Sequence, residues 1–291
     1  MIRKVLAILT VLACSTTARA GDPWVNPGTM GANALPSVPV EAPWADEFTM
    51  VRVGVAAQSG LRGDTSFTPT FRLSAPFGKW VTVIFDGMPL ELWWSSPQTR
   101  AEWSLPRDSG VSKADIRFGA KVLLADFGEG LPQIGVRFLT KTTSGKDYDA
   151  RRFTNAPAYL LELLIGEKFF AWENLSVNVY GSLGAYIWQQ GSDRQNDATH
   201  FALAGEMQAW KRLNVSLQVR GYAGWQRDDK VLVIAPRVGV EVAQWLEIGV
   251  TANVGFISAP RLDGRLDFTF RLPAVLPIIF HAKEASTVPA H

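Results

Sequence analysis

The sequence is poor in cysteine, histidine, charge and long apolar runs, and each scarcity excludes a class of protein. Its single cysteine, Cys14, falls within the first twenty residues, so a chain cleaved after Ala20 carries none. Such a chain has no disulfide framework and no thiolate metal site, and it crosses an oxidising compartment without mispairing. The three histidines are His200, His281 and His291, the last two near the chain end, so no metal and no cofactor is expected. Charged residues make up 19%, the net charge is +2 and no block has one sign, which argues against a nucleic-acid partner. Beyond the start there is no apolar stretch of about eighteen residues, so membrane-spanning helices are excluded.

What is present begins with an export signal. Arg3 and Lys4 precede an apolar run from Val5 to Ala13, and Ala18-Arg19-Ala20 supplies small residues for cleavage before Gly21. The run of about nine residues is too short for a spanning helix, which needs roughly twenty. Val11-Leu12-Ala13-Cys14 loosely matches a lipobox, which would instead make a diacylated Cys14 the mature N-terminus; Ala-Arg-Ala fits better. Residues 1–20 are therefore read as a cleaved signal peptide.

From residue 48 to 272 the apolar residues recur with period two. In 213–225, Leu213, Val215, Leu217 and Val219 share one face, against Asn214, Ser216, Gln218 and Arg220 on the other. Successive side chains of a strand point to opposite faces, so such a segment has one apolar and one polar wall. The pattern predicts twelve strands: 48–57, 65–75, 80–94, 113–125, 132–142, 156–168, 174–189, 198–209, 212–226, 231–243, 245–257 and 262–272. A bulge is expected in the third, around Gly87–Pro89.

Links after even-numbered strands are short, and those after odd-numbered strands tend to be longer, with 95–112 and 143–155 the longest. Every short link carries an aromatic, including Trp80, Phe127, Trp172, Trp210 and Trp245. Indole and phenyl rings collect at the headgroup level, so they mark one membrane interface; Trp94, Tyr159, Trp188, Trp225 and Phe256 mark the other. A soluble β-sandwich needs neither the aromatics at one end nor strands of such length. The expected fold is therefore all-β: a closed antiparallel up-and-down transmembrane β-barrel of about 12 strands. Export and barrel together place it in a bacterial outer membrane, short turns periplasmic, with outer-membrane lipid as its surround. Residues 21–47, rich in proline and without period, read as a periplasmic N-terminal segment, or one tucked into the barrel. Residues 273–291 read as a C-terminal tail.

With the apolar wall toward lipid, the lumen receives more bases than acids. Folding 113–142 about its glycine turn sets Arg117 beside Lys141 and Lys121 beside Arg137. Like charges opposite one another are unfavourable alone, so Glu91 and Glu162 on the flanking strands are expected to compensate them. The patch reads either as a salt-bridge network filling a narrow barrel or as a basic constriction that attracts anions. Arg151, Arg152, Asp193, Arg194, Asp197 and His200 are placed at the mouth. His200 falls among aromatics with no serine facing it, which argues against a catalytic base.

Asn26-Pro27-Gly28-Thr29-Met30-Gly31-Ala32-Asn33-Ala34-Leu35-Pro36, the 151–159 stretch Arg-Arg-Phe-Thr-Asn-Ala-Pro-Ala-Tyr and the 192–198 stretch Ser-Asp-Arg-Gln-Asn-Asp-Ala resemble uncharacterised outer-membrane β-barrel proteins of Bacteroidota. Ala114-Asp115-Ile116-Arg117-Phe118-Gly119-Ala120-Lys121 resembles a strand start in phenol-degradation-associated outer-membrane transporters, which implies uptake of small aromatic or hydrophobic compounds. The expected function is a passive, non-enzymatic channel or transporter for small solutes, anionic or hydrophobic, with weak anion preference. The alternatives are a closed structural or partner-binding barrel acting through its loops, and a barrel lipid hydrolase.

Overall fold

A computed structural model describes residues 27–274 except 33, 35, 129, 153, 155, 173, 191–193 and 225–228. The expected signal peptide over 1–20, Asp193, Trp225 and the expected tail from 275 lie outside the described residues.

The alternating segments form one antiparallel sheet that closes on itself. Its strands are β1 (Thr49–Ser59), β2 (Thr65–Phe77), β3 (Val81–Gly87), β4 (Leu90–Trp94), β5 (Ser109–Lys113), β6 (Ile116–Asp126) and β7 (Gln133–Lys141). The rest are β8 (Ala158–Trp172), β9 (Leu175–Gln190), β10 (Arg194–Ala209), β11 (Leu213–Gly224), β12 (Lys230–Ala243), β13 (Leu246–Ile257) and β14 (Leu262–Leu272). β1 pairs with both β2 and β14, which leaves no edge.

Fourteen stretches make twelve staves, because β3 and β4 continue one another, as do β5 and β6. The first of these breaks is where the bulge was expected. Pro89 has no N–H to give the ladder, and its carbonyl is taken by Ala114 N at 3.2 Å, within the neighbouring break. The fourth stave starts at Ser109 rather than 113. A short helix, α1 (Pro97–Trp103), sits in the preceding loop, capped by Ser96 Oγ, which accepts from Thr99 N at 3.1 Å.

The outward wall is the apolar one. Leu161, Leu163 and Ile165 of β8 face outward while Leu160, Glu162 and Leu164 are buried inside. On β11 and β13, Leu217 and Val250 are 51% and 57% exposed. An apolar exterior around an ion-paired interior is favourable only where the surround is hydrocarbon. Leu217→Arg, near the middle of β11, is therefore expected to destabilise the barrel in lipid by roughly 2–4 kcal/mol. Urea unfolding in vesicles reads this directly, and an unchanged midpoint would contradict the outward assignment.

Trp80, Phe127, Trp172, Trp210 and Trp245 are all exposed at the short-turn end. Trp94, Tyr159 and Phe256 are exposed at the other end, but Trp188 is not: it is buried in the lumen beside Tyr186 and Tyr222. Trp188 shares the inward wall of β9 with Tyr180, Ser182 and Tyr186 while Leu183 and Ala185 face out, so the alternation holds and the girdle placement of Trp188 is what fails.

Candidate functional site

Residues 27–47 do not lie beneath the barrel. They run through it, from the long-loop mouth to the short-turn end, and then enter β1. At the mouth, Gly28 O accepts from Leu61 N at 3.1 Å and Gly31 N donates to Arg151 O at 3.0 Å. Gly31 is close-set against Arg152 O and Glu91, where a Cβ would clash. Lower down, Met30, Ala34 and Val38 pack with the inward Ile84, Leu139, Leu160, Tyr186, Trp188 and Tyr222. Val40 packs against Tyr180, Ala202 and Ala204, with Trp44 edge-on to Tyr180 at 6.0 Å. At the last level Gly166 makes room for the chain, since a Cβ there would meet Pro43 Cδ at 2.8 Å. Full burial of a Met or Val side chain stabilises by roughly 1.5–3 kcal/mol, so this stopper is seated by several such contacts.

Between the two apolar levels lies a charged one. The register places Arg117 opposite Lys141 and Lys121 opposite Arg137. Each of the four meets a carboxylate, and the acids come largely from places the periodicity did not mark. Arg117 Nε donates to Asp86 Oδ1 at 2.7 Å, and Lys141 Nζ to Asp115 Oδ2 at 2.5 Å. Lys121 Nζ sits 3.5 Å from Glu41 and 3.9 Å from Asp46, and donates to Ala42 O at 3.3 Å. Arg137, fully buried, donates from Nε to Glu162 at 2.7 Å and from Nη1 to Glu41 at 2.9 Å and Pro39 O at 2.8 Å. Glu41 also pairs with Arg72. The stopper thus puts one carboxylate among three bases, where each attraction is less screened than in water.

Glu162 is the partner of Arg137, and its other oxygen takes Ser182 Oγ at 2.6 Å and His200 Nδ1 at 2.8 Å. His200 is therefore no mouth residue: it is fully buried, its ring edge-on to Tyr186 at 6.3 Å. Serine does reach the histidine's neighbourhood, but Ser182 and His200 converge on Glu162 rather than on each other. Glu91 leaves the four bases alone. It accepts from Arg152 Nη2 at 3.1 Å and from Ala32 N at 3.2 Å, so it ties loop to stopper.

The mouth is covered by a network of loop residues. Arg151 and Arg152 are both buried, with the Arg151 guanidinium 3.4 Å over the Trp103 ring and that of Arg152 5.3 Å from Trp93. Arg194 and Asp197 belong to β10, not to a loop, because β9 and β10 pair up to Gln190 and Arg194. Arg107 Nη2 lies 2.6 Å from Asp147 Oδ1, and Ser112 Oγ donates to Asp147 Oδ2 at 2.7 Å. Burial pushes the Asp147 carboxyl upward, but the hydrogen bonds from Ser112 and Arg107 outweigh it and hold it below its usual 3.8. A depressed carboxyl stabilises above its unfolded value and loses that contribution as pH falls through the folded one. The clasp is expected to persist at neutral pH and to be lost only below 3.8. A carboxyl NMR titration of Asp147 checks this, with Arg107→Gln moving the midpoint back up.

No family model matches the chain, and no curated protein does. Solved structures do. The COG4313 outer membrane channel from Pseudomonas putida F1 superposes with a TM-score of 0.56 at 14% identity, covering 81% of this chain and 100% of that one. The KdgM porin gives 0.49 at 11%, covering 76% and 98%. The beta domain of the Bordetella autotransporter BrkA gives 0.46 at 9%, covering 78% and 100%. Neither the Bacteroidota nor the phenol-degradation resemblance gains a family from these matches; what the first likeness shows is a shared barrel fold.

Proposed function

We propose that this chain is an outer-membrane channel for small solutes, shut in the present state by its own residues 27–47. The observation that carries this reading is how the stopper is held. Its backbone bonds to the loop residues Leu61 and Arg151 at the mouth, and the strands hold it through side chains: Arg137 Nη1 donates to Pro39 O, Lys121 Nζ to Ala42 O, and Glu41 pairs with Arg72 and Arg137. It is a side-chain-seated insert, separable from a closed ladder that does not need it. Arg72, Lys121 and Arg137 form its seat.

Withdrawal would also change the lumen's charge, because Glu41 and Asp46 leave with the stopper while the bases stay on the wall. The open state is then weakly anion-selective, as rings of bases are in anion pores. Planar-bilayer recording of the refolded barrel tests this. Rare openings with a reversal potential favouring anions are expected; a steady cation-selective current would contradict it. A permanently closed structural barrel is the second reading, favoured by the apolar packing of Leu160 and Leu164 on the stopper side.

A further inference from the structure

Beside Pro39 of the stopper the lumen holds a cavity of about 130 Å³, lined by six guanidinium groups from β1, β2, β6, β11, β12 and β14, the β6 one being Arg117 of the four-base patch. Five have acidic partners. Arg52 lies 3.4 Å from Asp267, Arg72 pairs with Glu41 and Asp86, and Arg117 is 2.7 Å from Asp86. Arg237 is 2.7 Å from Glu247, and Arg265 is 2.5 Å from Asp263. Arg220 is the exception. It is 5% exposed, and among the described residues no carboxylate lies within ion-pair distance of it; Asp263 reaches it only through Asn253, whose Nδ2 donates to Asp263 Oδ2 at 3.2 Å. Its Nη1 donates to Gln218 Oε1 at 2.9 Å and its Nη2 to Asn253 Oδ1 at 2.6 Å, both neutral, while its Nε has no partner. Burying a charge is costly unless it is paired.

The cavity is also reachable from solvent and large enough for a ligand. The Arg52 side chain on its wall is 37% exposed. At about 30 Å³ per water, the space holds roughly four waters, or one small oxyanion with part of its hydration. A second void of about 50 Å³ adjoins the same Arg220, Asn253 and Arg265 on the mouth side. We propose that this cavity is a binding site for one small oxyanion, with Arg220 as its counter-charge and Asn253 and Gln218 holding the guanidinium in place. It deepens the anion preference proposed above, but as a binding site it exists in the stoppered barrel and does not depend on conduction.

Equilibrium dialysis of inorganic phosphate against the full barrel in detergent tests it at neutral pH. One saturable site per barrel is expected, weakened about tenfold or more by Arg220→Gln, since the charge-assisted hydrogen bonds to the oxyanion are lost. Gln218→Glu is the second variant: it keeps the side-chain shape, leaves Arg220 in place and supplies an internal carboxylate that competes for it. The same loss is expected there, in a barrel that still shows the heat-dependent gel shift of the folded state. Arg107→Gln, in an outer loop, should bind phosphate as the parent does. Absence of saturable binding to the parent, or parent-like affinity in Gln218→Glu, would overturn the proposal. A barrel that binds phosphate but never conducts would refute the channel reading and leave this site standing.

Discussion

Glu41→Ala is expected to turn a barrel that is mostly shut into one that is often open. With the stopper seated, the variant leaves Lys121, Arg72 and Arg137 around a missing carboxylate. Orphaning a buried charge costs about 3–5 kcal/mol, and the lower end applies because Arg137 keeps Glu162 and Arg72 keeps Asp86. With the stopper out, water reaches the same bases and the penalty disappears. The substitution therefore acts on the difference between the two states, which is what shifts a population. A cost of about 3 kcal/mol corresponds to roughly a hundredfold rise in the ratio of open to shut. Open probability in a planar bilayer measures this, and Glu41→Gln should lie between the two. Resistance of the barrel itself to urea should change little, because Glu41 belongs to no strand.

Glu162→Ala is expected to do the reverse: weaken the wall itself. Arg137, Ser182 and His200 all use this carboxylate, from β7, β9 and β10. Its removal leaves a fully buried guanidinium with only Glu41 and Pro39 O, and a destabilisation of about 3 kcal/mol follows. Replacing Arg137 and Glu162 together by Met and Leu should recover most of that loss, since neither charge is then orphaned. Urea midpoints of the three barrels in vesicles separate the cases. If the double replacement were as unstable as Glu162→Ala, the ion pair would be contributing more than mutual neutralisation.

These two carboxylates also show how far the sequence is legible. Glu162 sits in a strand, so period two assigned it a wall and the register of β7 and β8 brought it to Arg137. Glu41 sits among prolines without a period, and nothing local says that 27–47 enters the lumen. The signal was indirect: β8 is apolar on both walls, with Leu160 and Leu164 facing in, and an inward leucine needs something to cover it. Asp86 and Asp115 fall beside the breaks at Met88–Pro89 and Ala114–Asp115, where alternation fails. His200 and Trp188 were placed at the rim by their distance from the strand ends, but filling of the lumen buries both. The barrel, its register and the aromatic ends follow from periodicity and link lengths. The stopper is legible in the sequence only as one of two alternatives for 21–47, and tertiary packing decides between them.

The scarcity of cysteine offers the most direct test of whether the stopper gates the lumen. Cys14 is the single cysteine of the sequence, so in a Cys14→Ser background no other thiol confuses an introduced pair. A Cβ built on Gly135 of β7 falls 3.3 Å from Pro43 Cβ and 2.9 Å from Val122 O, so the wall must give there by a few tenths of an ångström to bring the pair into the ordinary disulfide range of about 3.5–4.5 Å. Pro43→Cys with Gly135→Cys should therefore pin the stopper to the wall when oxidised and release it when reduced. The measurement is conductance of this pair in the Glu41→Ala background, before and after adding a thiol reductant to the same bilayer. A shut barrel that opens on reduction and closes on reoxidation is expected. Equal conductance in the two redox states, with the disulfide verified by mass, would contradict a gate made of residues 27–47.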